Sequence, residues 1–433
     1  MAILTRILST EKISGEVEVP RAGSILHRLL ICSALSGSRS KLDKIDVSKD
    51  VQVTRDCLGT LGLGLSGVAD GNFTYRLECQ ESDSTYKFLM PIAGAFGKNC
   101  IYSLRGNLRF VSMEQFYKVL RTHGLKHEEI SPDLVKVTGQ LTAGTYILPG
   151  VSDGQALSGL LMALPVLKEK STVMVEKKPQ SEPYVEMTIE IMRRSGIEIE
   201  ELKDQNGLDR VYRIPGGQHY NLMPDARVEG DWTLAAYWLT GAAICGTKVT
   251  CTNLNMDSLQ GDKRILNILQ LFGVNVEVSS HSEPDAVLEG EDVYWSDITV
   301  NGGRLRGINI DAQDISELLV PAVVLACMAD GVSIIKNAEN LRISPDVVNH
   351  IVTVMSELGA EITEVQDGLL INGCAGAPLR GGRVKSHRDY RIAMMIGLAS
   401  CAAGREIILE NADAVERIYP GYFEELERLK GNK

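Results

Sequence analysis

The chain has 433 residues, more than a single hydrophobic core normally organises, so two or more domains are expected. Hydrophobic residues make up 44% and charged residues 23%, which is ordinary globular composition. A net charge of -11, 5% aromatics and no basic stripe argue against nucleic-acid binding, while a small anionic ligand needs only a local cluster of Arg and Lys.

No apolar run approaches the roughly 20 residues that span a bilayer, and Met1-Ala2-Ile3-Leu4-Thr5-Arg6 lacks the long apolar core and cleavage site of a signal peptide. A cytoplasmic protein with no membrane partner is expected, and a monomer. The nine cysteines form no CxxC pair and mostly sit in apolar segments, so they read as buried free thiols.

In chain order, the first dozen or so residues read as a strand with no unit of its own, suited to pairing with the C-terminal domain. Next, Val19-Pro20-Arg21-Ala22-Gly23-Ser24 leads from a strand through a turn into a helix that opens at Ser24 and carries Arg28 one turn in. A helix N-terminus with a serine and an arginine is a natural anion site. Taken alone, it also reads as a plain N-cap with a surface arginine.

From there a pattern recurs. A strand leads through a polar turn into an apolar helix, then a second strand and a second helix that ends in glycine before an alternating strand. The glycines are Gly62, Gly124, Gly196, Gly273 and Gly359. Each stands where a helix C-cap favours a left-handed residue, and each is followed by a switch to period two. The first helices, around Leu89, Leu157, Leu234, Leu319 and Ile392, are apolar almost all round, which predicts burial. The last unit closes near Phe423-Glu424-Glu425-Leu426.

Six β-α-β-α-β-type units, three per domain, with buried helices and outer sheets, follow from this pattern. The expected division is residues 1–14 plus 228–433 as one discontinuous domain and 15–227 as an inserted one. Hinges fall near 14–20 and 224–231. The polar turns before the buried helices would face one cleft between the domains, where the anionic small molecule binds.

Three patterns mimic other chemistries. Gly62-Leu63-Gly64-Leu65-Ser66-Gly67 is formally GxGxxG, but a helix precedes it and a strand follows, the reverse of a dinucleotide site. His123 and His127 have metal-binding spacing on a helix, which Gly124 breaks. Ser24, Ser158 and Ser181 lack a GxSxG context.

The polar turns then carry a specific resemblance. They are Pro20 to Ser24, Ser82-Asp83-Ser84-Thr85-Tyr86-Lys87, Ser152-Asp153-Gly154-Gln155, Ser181-Glu182-Pro183-Tyr184 and Asp389-Tyr390-Arg391. Over nearly its whole length the chain resembles the enolpyruvyl (carboxyvinyl) transferases, and within them the 5-enolpyruvylshikimate-3-phosphate (EPSP) synthase family.

That resemblance implies an α/β fold known as the inside-out α/β barrel. It implies transfer of the enolpyruvyl group of phosphoenolpyruvate to shikimate 3-phosphate, in aromatic amino-acid biosynthesis, with no metal or organic cofactor. The chemistry is addition and elimination, served by cationic clamps and acid–base groups.

On the acceptor side, the family's residues fall on Ser24, Arg28, Gln155, Ser181, Tyr184 and Asn340. Its acidic base falls on Glu317, a methylene longer than the usual aspartate. On the phosphoenolpyruvate side the pattern departs. The family's P-G-S-K-S reads Pro20 to Ser24 with Gly23 at the lysine. Asp83 stands for a glycine and Lys87 for an arginine. Asn107 stands for another arginine, with Arg109 nearby.

In L-R-I-K-E-S/T-D-R, the lysine, glutamate and arginine become Ser344, Pro345 and Val348, in a run that reads as an ordinary helix start. Arg391 keeps the arginine of D-H-R, and Arg417 is the nearest cation to the C-terminal lysine. Near an effective dielectric of 20, each charge unit at contact is worth about 4 kcal/mol before screening. The losses therefore weigh heavily on a ligand of charge near -3.

Glu317 and Arg391 are thus the candidate catalytic residues, and Ser24, Arg28, Lys87, Gln155, Ser181, Tyr184 and Asn340 the candidate substrate-binding ones. Three functions stay open: the family reaction with a degraded phosphoenolpyruvate half-site, a silent ligand-binding or regulatory homologue, and a related enzyme with a changed substrate. The UDP-N-acetylglucosamine branch fits poorly, because its lysine–asparagine turn is absent from Gly23-Ser24-Ile25-Leu26.

Overall fold

The computed structural model describes residues 4–37, 47–63, 73–149, 153–176, 182–203, 210–221, 228–284, 292–312, 315–338 and 347–431. The chain divides into two compact units, one discontinuous (Met1–Ala22 with Glu229–Lys433) and one inserted (Gly23–Val228).

The discontinuous unit opens with two short strands, β1 (Thr5–Leu8) and β2 (Gly15–Glu18). The inserted unit follows. It begins with α1 (Gly23–Leu35) and α2 (Lys49–Leu61), then runs β3 (Thr74–Gln80), α3 (Asp83–Ala95), β4 (Asn99–Leu104), α4 (Glu114–Thr122), β5 (Leu125–Ser131) and β6 (Leu134–Gly139). The same sequence of elements returns as β7 (Thr145–Leu148), α5 (Gly154–Ala163), β8 (Ser171–Val175), α6 (Glu182–Arg194), β9 (Glu200–Lys203) and β10 (Arg210–Ile214).

Back in the discontinuous unit come α7 (Trp232–Cys245), β11 (Lys248–Leu254), α8 (Ile265–Leu271), β12 (Asn275–Pro284) and β13 (Asp292–Asn301). Then follow β14 (Asn309–Asp311), α9 (Leu319–Met328), β15 (Asp330–Lys336), α10 (Val347–Glu357), β16 (Glu361–Val365) and β17 (Gly368–Cys374). The chain ends through β18 (Gly382–Lys385), α11 (Tyr390–Ser400), β19 (Ile407–Glu410) and α12 (Tyr422–Leu429).

The sheets share one order. In β3-β4-β6-β5, β7-β8-β10-β9 and β14-β15-β17-β16 the first two strands are parallel and the rest antiparallel. Parallel neighbours need a crossover, which the buried helix supplies, and the antiparallel pair needs only a tight turn. The N-terminal strands complete two further sheets. β2 lies parallel to β11 in the place of a first strand, and β1 lies antiparallel to β19.

The expected domain limit at residue 14 therefore falls short of what the strands do. Gly15–Glu18 is hydrogen-bonded into the discontinuous unit, which extends to Ala22. The expected β-α-β-α-β unit also gains a strand. After the glycine cap the chain forms a hairpin, such as β5–β6 across Pro132-Asp133 and β16–β17 across Gln366-Asp367. Alternation keeps period two on both sides of so short a turn, so the sequence pattern does not mark the break.

The first helices are buried because no face of them is polar. All ten residues of α9 are buried, and on α7 every residue from Leu234 to Ala243 is too. Burying each Val or Leu contributes about 1.5–3 kcal/mol. Apolar side chains form one core cluster in each unit. All nine cysteines are free thiols, and all but Cys374 are buried. Among the described residues, no helix is long and apolar enough to cross a membrane.

The five cap glycines all take positive φ. Gly62, the left-handed cap of α2, ends the formal GxGxxG as a helix terminus; Gly64 to Gly67 lie outside the described residues. Gly124 ends α4 at φ +93°, where a Cβ would lie 2.3 Å from the Gln140 carbonyl oxygen; at Gly62 a Cβ would meet nothing within 4 Å among the described residues. His123 stacks on Tyr146 while His127, already on β5, stacks on Tyr117, so the two rings are not one helical pair.

These two glycines give a graded test in urea unfolding of the intact chain. Gly62→Ala is expected to lower the stability of the inserted unit by about 1 kcal/mol, the strain of a left-handed alanine. Gly124→Ala is expected to lower it by about 3 kcal/mol, because a backbone oxygen must also move.

Candidate functional site

In the inserted unit, the N-terminal turns of α1, α3, α5 and α6 hold most of the candidate residues. Arg28, 2% exposed, donates from Nε to Thr188 Oγ1 at 2.6 Å and through its terminal nitrogens to the carbonyl oxygens of Ser24 at 2.7 Å and Tyr184 at 3.1 Å. Its guanidinium lies 5.0 Å from the Phe88 ring centroid. Burial pulls the Arg28 pKa down to about 10. Thr188 continues the chain of bonds to Ser158 Oγ at 2.9 Å.

Lys87, 4% exposed on α3, donates to Asp83 Oδ2 at 2.5 Å and to Asp153 Oδ2. Burial by itself would lower the ammonium's pKa, but the two carboxylates outweigh it and hold it above the usual lysine range. Asp153 is also the N-cap of α5, accepting at Oδ1 from the backbone N–H of Gln155 and Ala156. The Gln155 amide nitrogen donates to Ser84 Oγ at 3.1 Å, and its buried Oε1 has no hydrogen-bond partner among the described residues.

In the discontinuous unit, α11 begins at the Asp389 cap. Asp389 binds Arg391 through both oxygens, at 3.0 Å from Nε and 2.7 Å from a terminal nitrogen, and also accepts the Arg391 backbone N–H at 2.9 Å. Burial works against the Asp389 anion, but Arg391 wins and lowers its pKa; Arg391 is raised in turn. Tyr390 donates to Glu317 Oε2 at 3.0 Å. Just before this turn, His387 and Arg388 both take positive φ, at 53° and 59°. Two consecutive non-glycine residues there cost about 1–3 kcal/mol each, a strain often found at functional segments.

The structure thus joins Ser24, Arg28 and Tyr184, joins Lys87 to the Gln155 turn, and places Glu317 against the Asp389–Arg391 turn. Ser181 and Asn340 lie outside the described residues, as do Ser344 to Asp346. Val348, in the place of a family arginine, is fully buried on α10. Asn107 and Arg109 sit in a 3-10 turn, where Arg109 is exposed and bonds the Gly106 carbonyl oxygen.

Lys87 and Arg28 were expected to bind substrate and Arg391 to act in catalysis; each is engaged by partners inside its own unit. The pairings missed by sequence reasoning are those of Lys87 with Asp153 and of Arg28 with Thr188. The i,i+4 spacing of Asp83 and Lys87 was legible, but the reach of Asp153 across from α5 was not.

The fold of this chain is similar to that of solved EPSP synthases. One such structure from Acinetobacter baumannii has a TM-score of 0.74 at 20% identity, covering 98% of this chain and 97% of that one. A second from the same organism has a TM-score of 0.73 at 19% identity, covering 99% and 98%.

The sequence relationship goes further. The family model described as EPSP synthase (3-phosphoshikimate 1-carboxyvinyltransferase) matches residues 7–426, and the chain belongs to this family. It is 32% identical to the 3-phosphoshikimate 1-carboxyvinyltransferase of Clostridium perfringens over 98% of both chains. It is 32% identical to that of Clostridioides difficile over 97% of this chain and 96% of that one.

The Asp389–Arg391 pair sets an acid limb. A carboxylate with a lowered native pKa contributes stability that is fully present above its unfolded value near 3.8 and is lost as pH falls through the native value. Asp389→Asn is expected to cost the discontinuous unit about 3 kcal/mol at pH 7, by leaving Arg391 unpaired. It should also make stability less steep below pH 4, read by thermal unfolding at stepped pH.

Proposed function

We propose that this chain is a divergent enolpyruvyl transferase. It takes shikimate 3-phosphate, or a closely similar phosphorylated ring, at the α1, α5 and α6 turns of the inserted unit, and it transfers the enolpyruvyl group from phosphoenolpyruvate slowly. Each domain in this reading is built of three repeats of the inside-out α/β barrel, with helices inside and sheets outside. The wholly buried helices and the repeated sheet order support that architecture.

One observation carries the slow-transfer reading: the Lys87 ammonium is closed off by Asp83 and Asp153. A cation neutralised from within has little field left for a trianionic donor, and the donor must compete with both carboxylates for it. On the acceptor side, Ser24, Gln155 and Tyr184 retain the chemistry for an anionic ring at helix N-termini. Glu317 would serve as the acid–base group and Arg391 as the remaining cation near the reacting carbon. The burial of Val348 favours a second reading, a silent homologue that binds the acceptor without turnover.

Calorimetric titration with shikimate 3-phosphate, followed by phosphoenolpyruvate with phosphate release recorded, tests the proposal. Salt-sensitive acceptor binding is expected, with phosphate release at least about 100-fold below the Clostridium perfringens relative assayed in parallel. Turnover at that relative's rate would refute the degraded donor site, and failure to bind the acceptor would refute the ligand.

A gain-of-function variant extends the test. Gly23 opens α1, and among the described residues a Cβ there meets only Val51 Cγ2, at an ordinary 3.6 Å. Gly23→Lys is therefore expected to fold normally and to raise phosphate release about tenfold, by about 1.4 kcal/mol of added electrostatic stabilisation.

A further inference from the structure

A cavity of about 110 Å³ lies in the inserted unit, between the 3-10 turn Gly106–Phe110, the start of α4 and the strands β5 and β6. It has room for several water-sized groups. None of the candidate catalytic or substrate-binding residues lines it. Tyr86 of α3 and Tyr117 of α4 do, and they are only 1% and 4% exposed. Their hydroxyls hydrogen-bond to each other. Two phenols bring two hydrogens and that bond uses one, so the pair keeps a second hydrogen to donate. Neither hydroxyl makes another hydrogen bond among the described residues. Burial keeps both protonated: Tyr117 is pushed up to about 12, and Tyr86 is also raised well above the usual phenol range. A buried donor without an acceptor is costly, so a ligand in this cavity gains by accepting from it.

The walls carry both signs of charge. The N-cap of α4 is Met113, whose side chain makes no cap hydrogen bond. Ser112, Met113 and Glu114 line the cavity, so the positive end of this helix stands beside it without the side-chain acceptor that α3, α5, α7 and α11 have. Arg109 lines it too and uses its Nε on the Gly106 carbonyl oxygen at 3.0 Å. On β5, Leu125, His127 and Glu129 alternate on one face. His127 stacks on Tyr117 with ring centroids 4.0 Å apart, and Glu129 is the next residue along that face and lines the cavity. Glu114 is already paired with Arg121 at 3.0 Å, whereas Glu129 has neither an ion pair nor a side-chain hydrogen bond among the described residues. Buried Leu104, Leu108 and Val135 supply apolar surface between the two.

We propose that this cavity is a binding site for a free α-amino acid with a short apolar side chain. The ligand carboxylate lies at the N-terminus of α4 and Arg109 and accepts the spare phenol hydrogen of the tyrosine pair. The ligand ammonium pairs with Glu129, and the side chain rests on Leu108 and Val135. A zwitterion answers each of these groups at once. A phosphate would be repelled by Glu129, and a hydrocarbon would leave the phenol hydrogen unmet. The site stands apart from the proposed transferase chemistry, and its existence does not depend on that reading.

The test titrates L-leucine into the intact chain carrying 13C-labelled tyrosine, with the Tyr117 NMR signal assigned by its absence in Tyr117→Phe. A saturable shift of that signal is expected at roughly millimolar ligand. 4-Methylpentanoate, which lacks the ammonium, and 3-methylbutylamine, which lacks the carboxylate, should each bind at least about tenfold more weakly. Glu129→Gln should weaken L-leucine about tenfold and leave 4-methylpentanoate unchanged, a difference that a merely structural role for Glu129 would not produce. No saturable shift up to about 50 mM L-leucine would make this a water-filled cavity and overturn the proposal. So would 4-methylpentanoate binding as tightly as L-leucine, or L-leucine binding Glu129→Gln as tightly as the wild type. Should Tyr117→Phe not fold, calorimetry of the same three ligands on the wild type and Glu129→Gln decides between the same outcomes. Binding is read without turnover, so absence of phosphate release would count against the proposed function alone.

Discussion

Helices that are apolar on every face must be enclosed, and their first-turn N–H groups must then be satisfied without bulk water. In this protein the caps that meet that demand are side chains of the polar turns: Ser82 for α3, Asp153 for α5, Asp231 for α7 and Asp389 for α11. Three of the four are aspartates. A carboxylate suits a helix N-terminus, where the macrodipole is positive, but it also brings negative charge to the turn where a ligand anion would lie.

The ion pairs of the candidate site follow from that demand. Asp153 turns one oxygen to the N-terminus of α5 and the other to Lys87. Asp389 turns one oxygen to the backbone of Arg391 and engages the guanidinium with both. The Lys87 and Arg391 cations are thereby tied to aspartates that cap helices. Tyr390, on the same turn as Arg391, donates its hydroxyl to Glu317 Oε2. Packing and site chemistry are two aspects of one arrangement, which is why a cation cannot be freed here without disturbing a helix end.

Much of the repeat was legible in the chain. The apolar helices and the glycine caps carry strong local signals, because an all-round apolar face has one stable place and a left-handed cap favours one residue. Less was legible about strands. β6 and β17 hide behind two-residue turns that leave the alternation in phase, and β2 reads like part of the chain that follows it although its partner is β11. Among the site residues, those on shared turns, Ser24 with Arg28 and Asp389 with Arg391, were recognisable from spacing. The bonds of Arg28 to Thr188 and of Lys87 to Asp153 join residues far apart in sequence, which no local pattern specifies.

By itself, the sequence determined the recurrence of a unit, the burial of its helices, the glycine caps that end them, and the family, because these rest on local periodicity, on backbone conformation and on residues in fixed order. It also determined which charges stand on the polar turns. Tertiary structure decided the partners of those charges, because an ion pair depends on the distance between side chains that meet only once the helices are packed. Arg28 and Lys87 read in sequence as substrate-binding residues and Arg391 as a catalytic one; the fold supplies their partners, carbonyl oxygens for Arg28 and the aspartates that cap α5 and α11 for the other two.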